Sequence, residues 1–444
     1  MPKYLLKNAR LINESQIFDS DLLINGAFIE KIDRSISDST AEVVDLQGQL
    51  LMPGAIDNQV HFREPGLTHK GSIASESRAA LAGGITTFME QPNTNPQTVT
   101  FEALEDKFAR AAKDSYVNYS FFFGGTNDNL ELIKRLDINA CAGVKLFLGS
   151  STGNMLVDSE EVIRGIFSNT EMVIAAHCED ESIIKANTAA AIERYGEHIP
   201  IEMHPIIRSH QACYLSSSRA VALARETGAK LHVFHVSTAQ ELELFDAHLP
   251  FEQKQITAEV CLHHLWFSDA DYKEKGTLIK WNPAVKTAAD RAALWEGVRS
   301  NSLDILSTDH APHTLEEKNN LYLKAPSGGP LVQHALLGYL DKVEEGELSL
   351  ELLVKKFCHQ VADRYVIDRR GYIREGYYAD LVTVKKSPTK VTKEQLLYDC
   401  KWSPFEGHTF TYSIDKVWVN GMLGYQNGKV NESTRGQKLV FNRR

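Results

Sequence analysis

The stretch Leu51-Met52-Pro53-Gly54-Ala55-Ile56-Asp57-Asn58-Gln59-Val60-His61-Phe62-Arg63-Glu64-Pro65-Gly66 decides the fold. Its apolar first half reads as a short buried strand. Side chains alternate across a strand, so Asp57, Gln59 and His61 share one face. An apolar run that ends in an imidazole and two polar groups suits the carboxyl end of a strand in a parallel barrel or open sheet, where such folds build their sites. Working outward, the pattern recurs. Strand-like runs occupy 51–61, 84–91, 117–124, 142–148, 172–177, 231–236, 255–264 and 303–309, with helical periodicity between them. Eight strands alternating with helices predict an α/β fold, the (β/α)8 TIM-type barrel.

The ends of the chain have a different texture. Residues 1–53 alternate short apolar runs with turns such as Asn25-Gly26, and residues 367–444 do the same around Tyr378–Val384, Lys416–Gly421 and Gln426–Val430. The two termini are therefore expected to pair into one small β-sandwich beside a barrel spanning 54–366.

Composition narrows the function classes. The chain has 444 residues, 43% of them hydrophobic and 24% charged, which suits a large barrel with an added β unit. A formal net charge of −10 argues against a nucleic-acid surface, which needs clustered Lys and Arg. No apolar run approaches the roughly 18 residues needed to cross a bilayer, and no charged-then-apolar leader opens the sequence, so a cytoplasmic enzyme without membrane contact is expected. Cys141, Cys178, Cys213, Cys261, Cys358 and Cys400 are scattered without a CxxC pair and read as reduced core thiols.

The ends of the runs carry the chemistry. Five of the eight finish on or near an ionisable group: His61, Lys145, His177, His235 and Asp309. Imidazoles and a carboxylate suit zinc or a similar divalent ion. A lysine ammonium would repel that ion, but a Lys145 that has lost its proton and taken up CO₂ becomes a carbamate able to bridge two metals. Two metals about 3.5–4 Å apart can hold a hydroxide and polarise a carbonyl. Asp309 beside that hydroxide would act as general acid and base, taking a proton and returning it to a leaving nitrogen. The expected reaction is hydrolysis at a carbonyl carbon, or its reverse.

Taken together, His61-Phe62-Arg63-Glu64-Pro65-Gly66, Gln91-Pro92-Asn93-Thr94-Asn95-Pro96, Gly143-Val144-Lys145, His177-Cys178-Glu179-Asp180, His235-Val236-Ser237-Thr238-Ala239, Asn282-Pro283 and Thr308-Asp309-His310-Ala311-Pro312-His313 resemble the dihydroorotases of the cyclic amidohydrolase superfamily. The resemblance spans nearly the whole chain, in the family's motif order. It implies reversible cyclisation of N-carbamoyl-L-aspartate to L-dihydroorotate in pyrimidine biosynthesis. It also implies one or two zinc ions, one held by His177 and His235 and the other by His61 and Asp309, with a carboxylated Lys145 between them. Arg63, Asn93 and His313 would bind the substrate carboxylate, and Asn282 with the Gly328-Gly329 loop would contact the ring. A planar guanidinium matches a carboxylate in bidentate fashion, so Arg63 fits its part. By analogy with relatives, a homodimer is expected.

One residue departs from the pattern. Most of the family has His-x-His on the first strand, whereas this chain has Gln59-Val60-His61. An amide oxygen is a poor zinc ligand beside imidazole, so Gln59 is expected to bind weakly or Asp57 to compensate. The departure also motivates a competing reading, a silent dihydroorotase-like subunit that associates with aspartate transcarbamoylase. Hydantoinases and allantoinases share the barrel and metal residues, but by resemblance they lack an arginine directly after the first-strand His-Phe, so Arg63 discriminates against them. The remaining histidines, including His263 and His264 at the end of the seventh run, read as structural.

Overall fold

The computed structural model describes residues 2–149 and 155–443. Eight parallel strands run in one sheet in sequence order: β1 (Ala55–Val60), β2 (Ile85–Glu90), β3 (Asn118–Gly124), β4 (Gly143–Phe147), β5 (Ile174–His177), β6 (Leu231–Val233), β7 (Ile256–Cys261) and β8 (Ile305–Ser307). The sheet returns on itself where Val60 pairs with His310 and the His61 amide donates to the His310 carbonyl at 2.7 Å. Nearly every residue of these strands is buried. Barrel strands carry helices on one side and the barrel interior on the other, so both faces must be apolar or paired.

The helices between strands begin where the sequence supplies caps. Ser72, Thr100, Asp180 and Thr287 each accept a hydrogen bond from a backbone N–H of the first turn, satisfying donors that the helix itself cannot pair. The floor of the barrel carries a buried polar cluster, paired through one oxygen of Glu259. Glu259 accepts from Asn58 and from His232 Nε2 (2.9 Å), and His232 Nδ1 reaches Thr257 at 2.8 Å. Beneath it, the Arg443 guanidinium donates to the carbonyls of Ile138, Cys141, Ala142 and Tyr365.

Strands from both termini form the second unit as expected, a nine-stranded mixed sheet in which Leu381–Lys385 lies antiparallel to Leu50–Pro53. Leu6, Leu11, Leu22, Ile24, Leu51, Leu381 and Trp418 share its core. The run read as 51–61 is in fact two strands. Leu50–Pro53 belongs to the terminal sheet, and Ala55–Val60 to the barrel. The break falls at Gly54, where a Cβ would sit 2.2 Å from Thr86. All six cysteines are buried free thiols. Among the described residues, no helix is long and apolar enough to cross a membrane.

Candidate active site

At the carboxyl ends of the strands lies a narrow cleft lined by Gln59, His61, Arg63, Asn93, Lys145, Phe147, His177, His235, Trp281, Asn282, Asp309, Ala311 and Ser327. All five ionisable groups expected at the strand ends meet here. The backbone that delivers them is unusual. Arg63, His235 and Asp309 have φ of +72°, +39° and +49°, in the left-handed region that residues with a Cβ avoid. His235 and Asp309 stand two residues beyond the last hydrogen-bonded residues of β6 and β8, where the chain turns sharply to aim them inward.

The candidate metal donors come in two pairs. His177 Nδ1 and His235 Nε2 face each other at 3.0 Å, and His61 Nε2 faces Asp309 Oδ1 at 3.2 Å. His61 Nδ1 is 2.7 Å from Asn93 Oδ1, so Nδ1 carries the proton and donates it, leaving the Nε2 lone pair toward Asp309. Two acceptors at that distance call for a proton or a cation between them. On the other side, His177 Nε2 lies 3.0 Å from Glu179 Oε2, in a contact too bent for a linear hydrogen bond. The carboxylate still favours the proton on Nε2 and frees Nδ1 toward His235. Glu179 in turn is held by Arg208. Among the described residues, no three His, Cys, Asp or Glu side chains form a ready-made cage. Two converging pairs with lone pairs turned inward nonetheless fit a divalent ion in donor type, and Lys145 lines the same cleft.

Burial sets the electrostatics. It pulls the Lys145 ammonium down to about 7, against the opposing pull of Glu259 and Asp309. The amine sits 3.9 Å from the centre of the Phe234 ring and 4.8 Å from that of Phe147. Burial likewise pushes the Asp309 carboxyl up to about 7, resisted by Lys145 and His177. His61 and His235 are held well below the usual imidazole range by burial first, so both rings are neutral and carry a lone pair. Burial lowers Arg63 to about 10, and it remains charged.

Each expected site residue has a definite place. Arg63, Asn93 and Asn282 line the cleft, and Asn282 Oδ1 is buried with no hydrogen-bond partner among the described residues. His313 stands one layer back, its Nε2 3.0 Å from Arg63 Nη2. Gly328 and Gly329 lie outside the lining. A Cβ on Gly328 would come within 2.5 Å of the Ala311 carbonyl, and one on Gly329 within 2.6 Å of Trp281. Close packing explains both glycines, and Ser327 reaches the cleft in their place. Gln59 turns its amide nitrogen to Asp309 (3.3 Å) and its oxygen to the Cys261 thiol (3.5 Å), so it offers N–H groups inward rather than a ligand oxygen. Asp57 does not compensate: its carboxylate takes the Thr308 hydroxyl at 2.5 Å. His263 and His264 lie in a short helix, Leu262–Trp266, with His263 stacked on Trp281. Sequence reasoning assigned no role to Glu179, Phe147 or Trp281. Glu179 could have been found, because it stands two residues after His177.

The sequence profile of the amidohydrolase family matches residues 50–424. The chain belongs to the amidohydrolase family. This amidohydrolase is 33% identical over 407 residues to a dihydroorotase of Halobacterium salinarum, covering 90% of this chain and 92% of that one. It is 29% identical over 433 residues to an allantoinase of Bacillus velezensis, covering 96% and 94%. Among solved structures it resembles the L-hydantoinase (dihydropyrimidinase) of Arthrobacter aurescens, with a TM-score of 0.94 and 29% identity, covering 99% of this chain and 100% of that one. The amidohydrolase is therefore a cyclic amidohydrolase enzyme, in a family whose members are generally metal-dependent.

Proposed function

We propose that the enzyme is a dihydroorotase, interconverting N-carbamoyl-L-aspartate and L-dihydroorotate, a step of pyrimidine biosynthesis. One observation carries the choice over hydantoinase or allantoinase chemistry. Arg63 is a buried, charged guanidinium lining the cleft, held by its Nε bond to the Pro312 carbonyl at 2.9 Å. A buried cation needs an anionic partner. The carboxylate of dihydroorotate supplies one, whereas hydantoin and allantoin are neutral. The 33% identity to a dihydroorotase supports the same reading.

His61, His177, His235, Asp309 and a carboxylated Lys145 would hold the metal, for which zinc suits the nitrogen-rich donor set. When bound, the ion supplies Lewis-acid polarisation of the scissile carbonyl and acidifies water. The chain's own residues do the rest. Arg63 and Asn93 orient the substrate by its carboxylate, Asn282 faces the ring, and Trp281 and Phe147 wall the cleft. In the hydrolytic direction Asp309 takes a proton from the attacking water and gives it to the leaving ring nitrogen, and in cyclisation the transfers reverse.

The competing reading is a hydantoinase- or allantoinase-type enzyme, favoured by the 0.94 TM-score to the L-hydantoinase. Purified, zinc-loaded protein assayed side by side on L-dihydroorotate, hydantoin and allantoin separates the two. Preference for dihydroorotate by about 10- to 150-fold in kcat/KM is expected, in line with the roughly 1.5–3 kcal/mol of a hydrogen bond to a charged group. Preference for either neutral ring would overturn the proposal. No ring opening or closure in any of the three would favour a silent partner of aspartate transcarbamoylase.

A further inference from the structure

His310, next in the chain after Asp309, lies outside the cleft lining, in a buried cluster of its own. Its Nε2 is 2.7 Å from Glu76 Oε2, and neither side chain is exposed to solvent. On the other edge of the ring, Nδ1 faces the backbone N–H groups of Leu331 (2.9 Å) and Val332 (3.3 Å). Backbone donors require a lone pair there, so Nε2 carries the proton and gives it to the Glu76 carboxylate. Glu76 stands on the helix Ile73–Ala82, and its other oxygen accepts from the Asp399 amide (3.1 Å) and the Ser75 hydroxyl (2.9 Å). Gly71 leaves room for it, since a Cβ at that position would lie 2.9 Å from the Glu76 Cγ. The polar atoms of the pair are all committed within the protein, and none is left to meet a ligand.

The main chain of His310 is held as firmly as its ring. Its N–H donates to Thr308 Oγ1 at 2.9 Å, a hydroxyl that itself donates to Asp57, and its carbonyl accepts from the His61 amide at 2.7 Å. Asp309 is therefore the one residue between two anchored ones, and it is the residue with φ of +49°. A left-handed backbone at a residue with a Cβ persists only where its surroundings impose it. Thr308 imposes it from the strand side and His310 from the loop side. The imidazole also meets the Phe62 ring edge-on, centres 5.7 Å apart, so the same anchor reaches the chain between His61 and Arg63. Barrel closure alone does not call for the pair, because Val60 and His61 meet residue 310 through backbone groups that any side chain there would leave in place.

We propose that Glu76, acting through His310, is a positioning residue for Asp309: it pins the loop side of the left-handed turn and so keeps the Asp309 carboxylate aimed into the cleft. Glu76 touches neither substrate nor metal. The proposal rests on the functional reading above for the task of Asp309 as proton carrier, but the turn that Glu76 fixes is the same whatever the substrate.

The test compares Glu76→Ala and Glu76→Gln with the parent, each full-length and zinc-loaded. Removing the acceptor frees the His310 ring, and a shift of about 1 Å in a catalytic group costs on the order of a hundredfold in rate. Glu76→Ala should therefore lower kcat on L-dihydroorotate by about a hundredfold and leave KM within about threefold, because Arg63 and Asn93 keep their places. Glu76→Gln keeps an oxygen for the His310 N–H and should recover kcat to within about tenfold of the parent. Crystal structures should show the same pattern at the backbone. Asp309 should hold a positive φ in the parent and in Glu76→Gln, and leave the left-handed region in Glu76→Ala. A pair that serves stability alone would lower the melting temperature of the variants and leave kcat per folded chain and the turn unchanged. That result overturns the proposal, as does a loss carried by KM. If the parent opens hydantoin or allantoin instead of dihydroorotate, the dihydroorotase reading fails, and the comparison of kcat is made on that ring. If it opens none of the three, the crystal structures alone decide. If Glu76→Ala does not fold, Glu76→Asp takes its place: it keeps the charge but falls short of His310, so its kcat loss should exceed that of Glu76→Gln, and no loss counts against the proposal.

Discussion

Replacing Glu179 with Gln would test whether the His177 side of the cleft is built to hold a cation. The fully buried carboxylate accepts from Arg208 and lies against His177 through the same oxygen, Oε2, while Oε1 has no partner among the described residues. Glutamine can place its carbonyl oxygen where Oε2 stands and its amide where Oε1 stands, so shape is conserved and only the charge is lost. Hydrogen bonds to an ionised acceptor contribute about 1 kcal/mol more than those to a neutral one. The Arg208 hydrogen bond therefore loses roughly 1 kcal/mol, and removing the charge beside His177 lowers the basicity of the nitrogen facing His235. Changes of this type behind a metal-binding histidine typically weaken the metal by about 10- to 100-fold. The lower part of that range is expected, because the acceptor oxygen remains. Metal analysis after equilibration with graded concentrations of a zinc chelator should show Glu179→Gln releasing zinc at about tenfold lower free chelator than the parent. The reasoning fails if both proteins lose zinc at the same chelator concentration while the variant melts as a folded protein.

Other substitutions probe the cleft directly. Asp309→Asn should lower turnover by about a thousandfold, within the range for a lost general acid–base group, with metal content near that of the parent by elemental analysis. Unchanged activity would remove Asp309 as the proton carrier. Lys145→Ala should lose metal and activity, with partial recovery on adding short-chain carboxylic acids, and full activity without them would count against a carbamate. Gln59→His should raise the metal bound per chain. That expectation fails if the parent already retains two tightly held equivalents.

The strands were legible in the sequence because barrel strands, buried on both faces, read as continuous apolar runs. Their ends were less so. His235 and Asp309 were placed on strands, whereas the chain leaves the ladder before them and turns into the left-handed region, a change that composition does not record. The split at Gly54 was hidden for a related reason, since two short strands in different sheets make one apolar run when the glycine between them is read as small rather than as the site of a close approach to Thr86. Among the candidate site residues, motif order located His61, Arg63, Lys145, His177 and Asn282 at the cleft. It put His313 and the Gly328-Gly329 pair there as well, although the first stands behind Arg63 and the others pack against Ala311 and Trp281. Glu179 meets His177 only two residues away, a local step open to sequence reasoning, whereas its contact with Arg208 across 29 residues and that of Lys70 with His313 across 243 have no local pattern to announce them.

Arg63, His235 and Asp309 each hold a conformation that costs about 1–3 kcal/mol for a residue with a side chain, so the cleft is under tension that the surrounding barrel must sustain. Function and durability therefore pull in opposite directions at these points. Glycine at position 309 or 235 would relax the backbone while deleting the chemistry, and such inert chains should melt at or above the temperature of the working enzyme.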